Sequence, residues 1–188
     1  MNQQKIEIPS DIAAYLQVAD DLWEEQQNEE EFASYVSADY GEVFDALVGL
    51  RERATTFLEL GSGLGAVTIM ASRLGYEAYG IEAADALVDY SRDFAATLAP
   101  DAVFGTGSFI PDQFEWDPAM GDESVRTFID IPDAYGEIDM DLRDFDLIYS
   151  YPWPTEHALY ENFLGQFARP GALFLCYDAR EGIILRDI

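Results

Sequence analysis

Glu59-Leu60-Gly61-Ser62-Gly63-Leu64-Gly65 limits the possible folds more than any other stretch, because an apolar run, Thr56-Phe57-Leu58, leads into it and a helix-like run, Ala66 to Leu74, leaves it. The pattern predicts a strand, a glycine turn and a helix. Glycine lets the backbone turn with φ > 0, and without a Cβ a ligand can approach main-chain N–H groups at a helix N-terminus. A nucleotide-type site is expected at this junction.

Two families write the junction in similar letters. Gly61-Ser62-Gly63-Leu64-Gly65-Ala66 satisfies the G-x-G-x-x-G/A fingerprint of dinucleotide-binding domains, and Glu82 lies about 20 residues further on, where a ribose-binding acid is expected. The stretch also resembles the first motif of class I S-adenosylmethionine (SAM) dependent methyltransferases, an acid followed by x-Gly-x-Gly-x-Gly. Glu59 favours the second resemblance. A carboxylate near the end of a mostly buried strand is costly unless it meets a donor or a cation. In the methyltransferase family that acid faces the ammonium end of SAM, whereas dinucleotide domains usually carry an apolar residue there. A turn serving backbone geometry alone is the third reading.

The resemblance implies an α/β, Rossmann-like, mostly parallel sheet flanked by helices, and the alternation of apolar runs after Thr55 agrees with it. Strands are expected near 55–60, 77–82, 101–104, 145–150 and 171–177, and helices near 65–74, 84–98 and 156–168. Residues 1–53 read as an N-terminal helical segment acting as lid or sheet cover. Ser10-Asp11 caps a helix with Ile12, Leu16, Val18, Leu22 and Trp23; a short helix spans 28–35; Asp39 and Glu42 form a capping box for a third helix. Tyr35 and Tyr40 are possible lid residues or ordinary core. Residues 54–188 read as the core with an insertion at 105–144, in which Val125 to Ile131 could be a strand of an extra hairpin. The family usually continues after its fifth strand with two more, one antiparallel. Only Ala179 to Ile188 follow here, with Ile183-Ile184-Leu185 as one short strand, so a shortened C-terminal end is expected.

The resemblance also assigns roles. Glu59, Gly61, Ser62, Gly63 and Gly65 would cradle SAM, Glu82 would accept its ribose hydroxyls, and Ala83 and Ala84 would leave room for adenine. Gly107-Ser108-Phe109 stands where the family often has an acid contacting adenine, which makes Ser108 and Phe109 candidates for that contact. Ser150-Tyr151-Pro152-Trp153 resembles the Asp/Asn/Ser-Pro-Pro-Tyr/Phe/Trp motif of methyltransferases acting on amino groups, with Tyr151 in place of the first proline. There a polar side chain and backbone carbonyls orient the acceptor while an aromatic face supports it. A rigid prolyl turn with a packed aromatic is the structural alternative for Trp153. Pro152-Trp153-Pro154 also resembles a loop of tRNA guanine methyltransferases, but the basic helix that follows it there is missing from Thr155 to Glu161.

Charge bears on the partner. The chain carries 37 acidic and 10 basic residues, a formal net of −27, with Lys5 its only lysine. Such a field repels nucleic acid and anionic membrane and favours a small-molecule or protein acceptor. No apolar run approaches the length of a membrane span, so a cytoplasmic protein is expected. Cys176 reads as a buried strand thiol, and with no His/Cys cluster no metal site is expected. His157 reads as a base near the loop or, more commonly, a surface histidine at a helix start. The readings left open are a SAM-dependent methyltransferase acting on nitrogen or oxygen, an NAD(P)-dependent oxidoreductase, and a non-catalytic SAM-binding module. Oligomeric state is left open.

Overall fold

The computed structural model describes residues 7–26, 38–115, 127, 130–178 and 180–188. Its centre is a six-stranded sheet in the order β3-β2-β1-β4-β5-β6, formed by β1 (Thr56–Leu60), β2 (Glu77–Glu82), β3 (Val103–Thr106), β4 (Leu147–Ser150), β5 (Leu173–Asp178) and β6 (Gly182–Asp187). The first five strands are parallel and β6 runs antiparallel to β5. Strand order reverses between β1 and β4, and a crevice at the carboxyl ends beside that switch is where open α/β sheets bind ligands.

Side chains of successive strand residues point to opposite faces, and both faces here are covered. That is why the parallel strands read as apolar runs without alternation. On one face Phe57, Tyr149 and Leu175 pack with α1 (Ser10–Gln26), α2 (Tyr40–Leu50), α3 (Ala66–Arg73) and α4 (Asp85–Leu98). On the other, Leu58, Leu60, Ile148 and Phe174 pack with α5 (Tyr135–Ile138) and α6 (His157–Phe167). Phe57, Leu58, Leu147 and Phe163 are fully buried, each contributing roughly 1.5–3 kcal/mol by removal from water.

Several elements differ from expectation for local reasons. In α1 the buried stripe is Ile12, Tyr15, Leu16 and Ala19, and Val18 points away at 47% exposure. The first helical bond goes to the Pro9 carbonyl, so Ser10 begins the helix without capping it. Asp39 does cap α2, accepting from Gly41 N at 2.9 Å and Glu42 N at 3.1 Å. Strand β3 starts two residues late because Ala102 N closes a turn onto the Ala99 carbonyl. Strand β4 also starts late, because the Asp146 carboxylate serves the start of β1, accepting from Thr55 N at 2.7 Å and Thr56 N at 3.1 Å while pairing with Arg169. The expected 183–185 strand extends over Gly182–Asp187.

The helix expected at 28–35, with Tyr35, and most of the strand expected at 125–131 lie outside the described residues. Cys176 is 1% exposed in β5, where burial pushes its thiol pKa up. Among the described residues no helix is long and apolar enough to cross a membrane, and no group of three or more His, Cys, Asp or Glu could hold a metal.

Candidate functional site

The carboxyl ends of β1, β2, β4 and β5 open onto one cavity of about 390 Å³. Its floor is the glycine turn. Gly61, Gly63 and Gly65 all take positive φ, at 73°, 52° and 79°, but for two different reasons. A Cβ on Gly65 would sit 2.8 Å from the Phe104 ring and 2.9 Å from Ser91 Oγ; one on Gly61 would meet nothing closer than Phe109, at 3.8 Å. Gly65 therefore leaves room for the core, and Gly61 leaves room for the cavity. The N–H groups of Gly61 and Ser62 both go to the Ile81 carbonyl at 2.9 Å, and that of Gly63 goes to Glu82. With those three donors used within the chain, the turn offers a ligand space and a side chain, where main-chain N–H groups had been expected.

Glu59 is 5% exposed, and its Oε2 accepts from Thr68 N at 2.8 Å and Thr68 Oγ1 at 2.6 Å. Gly65 at the α3 N-cap has no side chain to satisfy the helix's first N–H groups, so a carboxylate from the neighbouring strand does so. Gly80, opposite Glu59 in β2, makes this possible, since a Cβ there would lie 2.8 Å from Thr68 Oγ1. Burial pushes the Glu59 pKa from its usual 4.5 to about 8, against the pull of the Thr68 bonds. Glu59 is thus an acid poised to ionise when a cation arrives.

Glu82 closes the turn from β2. Its Oε1 accepts from Ala83 N at 2.8 Å and Ala84 N at 3.0 Å, and its Oε2 accepts from Gly63 N at 2.9 Å. Two donors fill Oε1, while Oε2 keeps one lone pair for a hydroxyl. Two further hydroxyls along the cavity, those of Ser62 and Tyr149, are buried and make no hydrogen bond among the described residues. A buried hydroxyl left unbonded costs about 1–3 kcal/mol, which a ligand would recover. Tyr149 stands beside Glu59 in the β1–β4 register.

The other end of the cavity begins at Ser150. Its Oγ lies 3.1 Å from the Leu60 carbonyl and 3.0 Å from the Tyr160 hydroxyl, and burial pushes the latter's pKa well up. Tyr151, Pro152, Trp153 and Pro154 continue the wall, with Tyr151 edge-on to Tyr177 at 5.0 Å. Phe109 reaches in from the loop after β3, its ring 5.6 Å from Tyr160. Ser108 also lines the cavity, but its Oγ accepts from Ile110 N at 3.0 Å and so shapes that loop. From the N-terminal segment, Ala38 and Tyr40 reach the cavity, and Tyr40 also packs against the core.

The residues predicted for the cofactor and acceptor sites all line this one cavity apart from Gly65, including Glu59, Ser62, Glu82, Ala83, Ser108, Phe109 and Ser150 to Trp153. His157 does not line it. It starts α6 with Nε2 3.7 Å from Asp178 Oδ2. Sequence reasoning missed Tyr149, Glu156, Tyr160 and Asp178. Asp178 was within reach, since a carboxylate at the carboxyl end of a parallel strand beside Ser150's strand faces the same crevice. Glu156 gave no signal: its carboxylate is bonded by Thr127 N at 3.0 Å and Thr127 Oγ1 at 2.8 Å, a contact that sequence spacing does not reveal.

No protein-family model matches the chain, and no curated protein matches it. Solved structures do. An O-methyltransferase from Bacillus cereus in complex with S-adenosylhomocysteine (SAH) superposes with a TM-score of 0.55 at 19% identity, covering 91% of this chain and 67% of that one. An RNA methyltransferase from Salinibacter ruber in complex with SAH gives 0.54 at 22% identity, covering 76% and 78%. The O-methyltransferase TomG from Streptomyces achromogenes, in complex with SAM, gives 0.54 at 16% identity, covering 92% and 67%. The fold is therefore that of the class I SAM-dependent methyltransferases, a mostly parallel sheet of Rossmann type between two helical layers.

Proposed function

We propose that this chain is a SAM-dependent methyltransferase that transfers a methyl group to a nitrogen or oxygen of a small-molecule or protein acceptor. The observation that carries this reading is the single cavity in which the glycine turn, two strand-end acids and two buried hydroxyls with no partner among the described residues meet the Ser150 to Pro154 wall. SAM, when bound, supplies an electrophilic methyl group on a sulfonium. Glu59 suits its ammonium end, and the remaining Glu82 lone pair suits a ribose hydroxyl. Ser62 and Tyr149 offer hydroxyls to its polar atoms, and Ala83, Ala84 and Phe109 offer apolar surface to a base.

The chain's own contribution is alignment. Methyl transfer is an in-line displacement, so holding the acceptor opposite the cofactor removes much of the barrier, and a base is needed only for a protonated acceptor. The backbone carbonyls and aromatic side chains of Ser150 to Trp153 suit that orienting role. The net charge of −27 supports a small-molecule or protein acceptor. The RNA methyltransferase among the similar structures means that the fold alone does not exclude nucleic acid.

Calorimetry of the wild-type protein with SAH and with NADH tests the reading. SAH should bind and NADH should not; NADH binding in place of SAH would move the chain to the oxidoreductases. Trp153→Ala should abolish turnover on an identified acceptor while leaving SAH affinity nearly unchanged. Equal loss of both would return Trp153 to a structural role, and SAH binding without turnover on any acceptor would favour a non-catalytic module.

A further inference from the structure

We propose that the acceptor is an organic amine, received by Asp178 and Glu156 at the end of the cavity walled by Tyr151 and Trp153. This rests on the methyltransferase reading and narrows it from nitrogen or oxygen to an amine nitrogen.

Besides Glu59, which its burial keeps protonated until a cation arrives, three carboxylates, Glu82, Glu156 and Asp178, line the cavity, and among the described residues no Lys, Arg or His does. Against this described lining, a carboxylate or phosphate acceptor would meet like charge and no cationic side chain. The penalty for like charges a few ångströms apart is several kcal/mol at the dielectric of a protein surface.

The four acids divide between the two ends of the cavity. Glu59 and Glu82 are tied to the glycine-turn end by Thr68 and by Gly63, Ala83 and Ala84. Asp178 belongs to the other end, where β5 turns into β6. Its Oδ1 accepts from Arg180 N at 2.7 Å and Glu181 N at 3.0 Å, and those bonds hold its pKa below the usual carboxylate range. Its Oδ2 faces His157 at 3.7 Å, beyond hydrogen-bond distance, which leaves room for another donor. Glu156, 1% exposed, adds a second carboxylate to the lining, held in place by Thr127 N at 3.0 Å and Thr127 Oγ1 at 2.8 Å.

Carboxylates flanked by aromatic side chains form the surroundings an ammonium group prefers, through charge and through the ring quadrupole. Tyr151 of the wall stands edge-on at 5.0 Å to Tyr177, the residue before Asp178, so aromatic surface and carboxylate adjoin at this end. The field of the whole chain concentrates cations at its surface. The bound ammonium first gives one proton to solvent at the cavity mouth; the freed lone pair becomes the new N–C bond, the S–C pair stays on sulfur, and the product leaves as the methylated ammonium.

The experiment uses the full chain and three SAH analogues whose sulfur is replaced by a tertiary nitrogen with a third arm: 3-aminopropyl, 3-hydroxypropyl or 2-carboxyethyl. The aminopropyl analogue should bind about tenfold more tightly than the hydroxypropyl one, the carboxyethyl analogue weakest of the three. Asp178→Asn should remove most of that tenfold preference while SAH affinity stays within about twofold. Asparagine keeps an oxygen for Arg180 N and Glu181 N, so the hairpin is retained; Glu156→Gln is the second variant. Equal or tighter binding of the hydroxyl or carboxylate arm would overturn the proposal, as would a preference unchanged in both variants. Failure of SAH itself to bind would overturn the methyltransferase reading, and this proposal with it.

Discussion

The two ends of the cavity are assembled in different ways. At the glycine-turn end, the residues from Glu59 to Ala84 bond mainly to one another: strand-end acids take up the backbone donors of the turn and of α3. At the other end, Phe109, Thr127, Tyr151, Glu156 and Asp178 come from separate loops and strand tips, joined by side-chain contacts across long stretches of chain. The first arrangement is a backbone geometry with little freedom to vary. The second is a set of side chains on a scaffold, which different acceptors can be fitted to without disturbing the turn. The glycine-turn end should therefore answer to mutation in stability, and the other end in specificity.

The largest expected effect is on pH dependence at the glycine-turn end. Glu59 holds its proton more tightly in the folded chain, with a pKa of about 8 against the usual 4.5. Between those values the folded state carries the extra proton, so stability falls as pH rises through the window and levels off above it. The slope approaches about 1.4 kcal/mol per pH unit. Urea titrations from pH 5 to 8 should show it, Glu59→Gln should remove that contribution, and saturating SAH should flatten it by placing an ammonium beside the carboxylate. A slope unchanged in Glu59→Gln would place the titration elsewhere.

A pair of glycines divides the turn itself. Gly65→Ala should destabilise the fold by roughly 3 kcal/mol, combining left-handed strain with a clash against Phe104 and Ser91. Gly61→Ala meets only the strain, roughly 1 kcal/mol, and should instead weaken ligand binding. Denaturant midpoints and SAH calorimetry on both variants check the division; equal stability losses would erase it.

The smallest effect has the opposite sign. Tyr149→Phe removes a buried hydroxyl that has no partner among the described residues and should stabilise the ligand-free protein by about 1 kcal/mol. The same change should cost several-fold in SAH affinity if a ligand uses that hydroxyl. A loss of stability would show that the hydroxyl is already satisfied.

The contrast also decides how much could be read from the residues alone. The unit β1, α3, β2 was legible because strand, turn and helix follow one another with no intervening loop, and apolar runs bounded by glycine leave few alternatives. β3 was placed two residues early because a turn after Pro100, invisible to hydropathy, uses up Asp101 and Ala102. The Glu59 carboxylate was recognisable as an acid needing a partner, but its bond to Thr68 depends on Gly80 two strands' length away in the chain. Ser150 to Trp153 stood out through local pattern. Asp178 lay just beyond the strand expected at 171–177 and was given no role, and the Thr127–Glu156 contact joins residues whose spacing predicts nothing.

One bond behind the glycine turn carries a further consequence. The Tyr15 hydroxyl of α1 donates to the Leu64 carbonyl, its ring lies 4.7 Å from Phe94, and Arg73 of α3 reaches Asp11 at 2.7 Å. Neither α1 residue lines the cavity; Tyr15 holds the glycine turn from its far side, and Asp11 holds the last turn of α3. Whatever steadies the turn from within must also steady α1, since the two are tied through one carbonyl. The backbone amides of α1 should then exchange with deuterated water more slowly when SAH is bound, so that a helix remote from the ligand reports on occupancy.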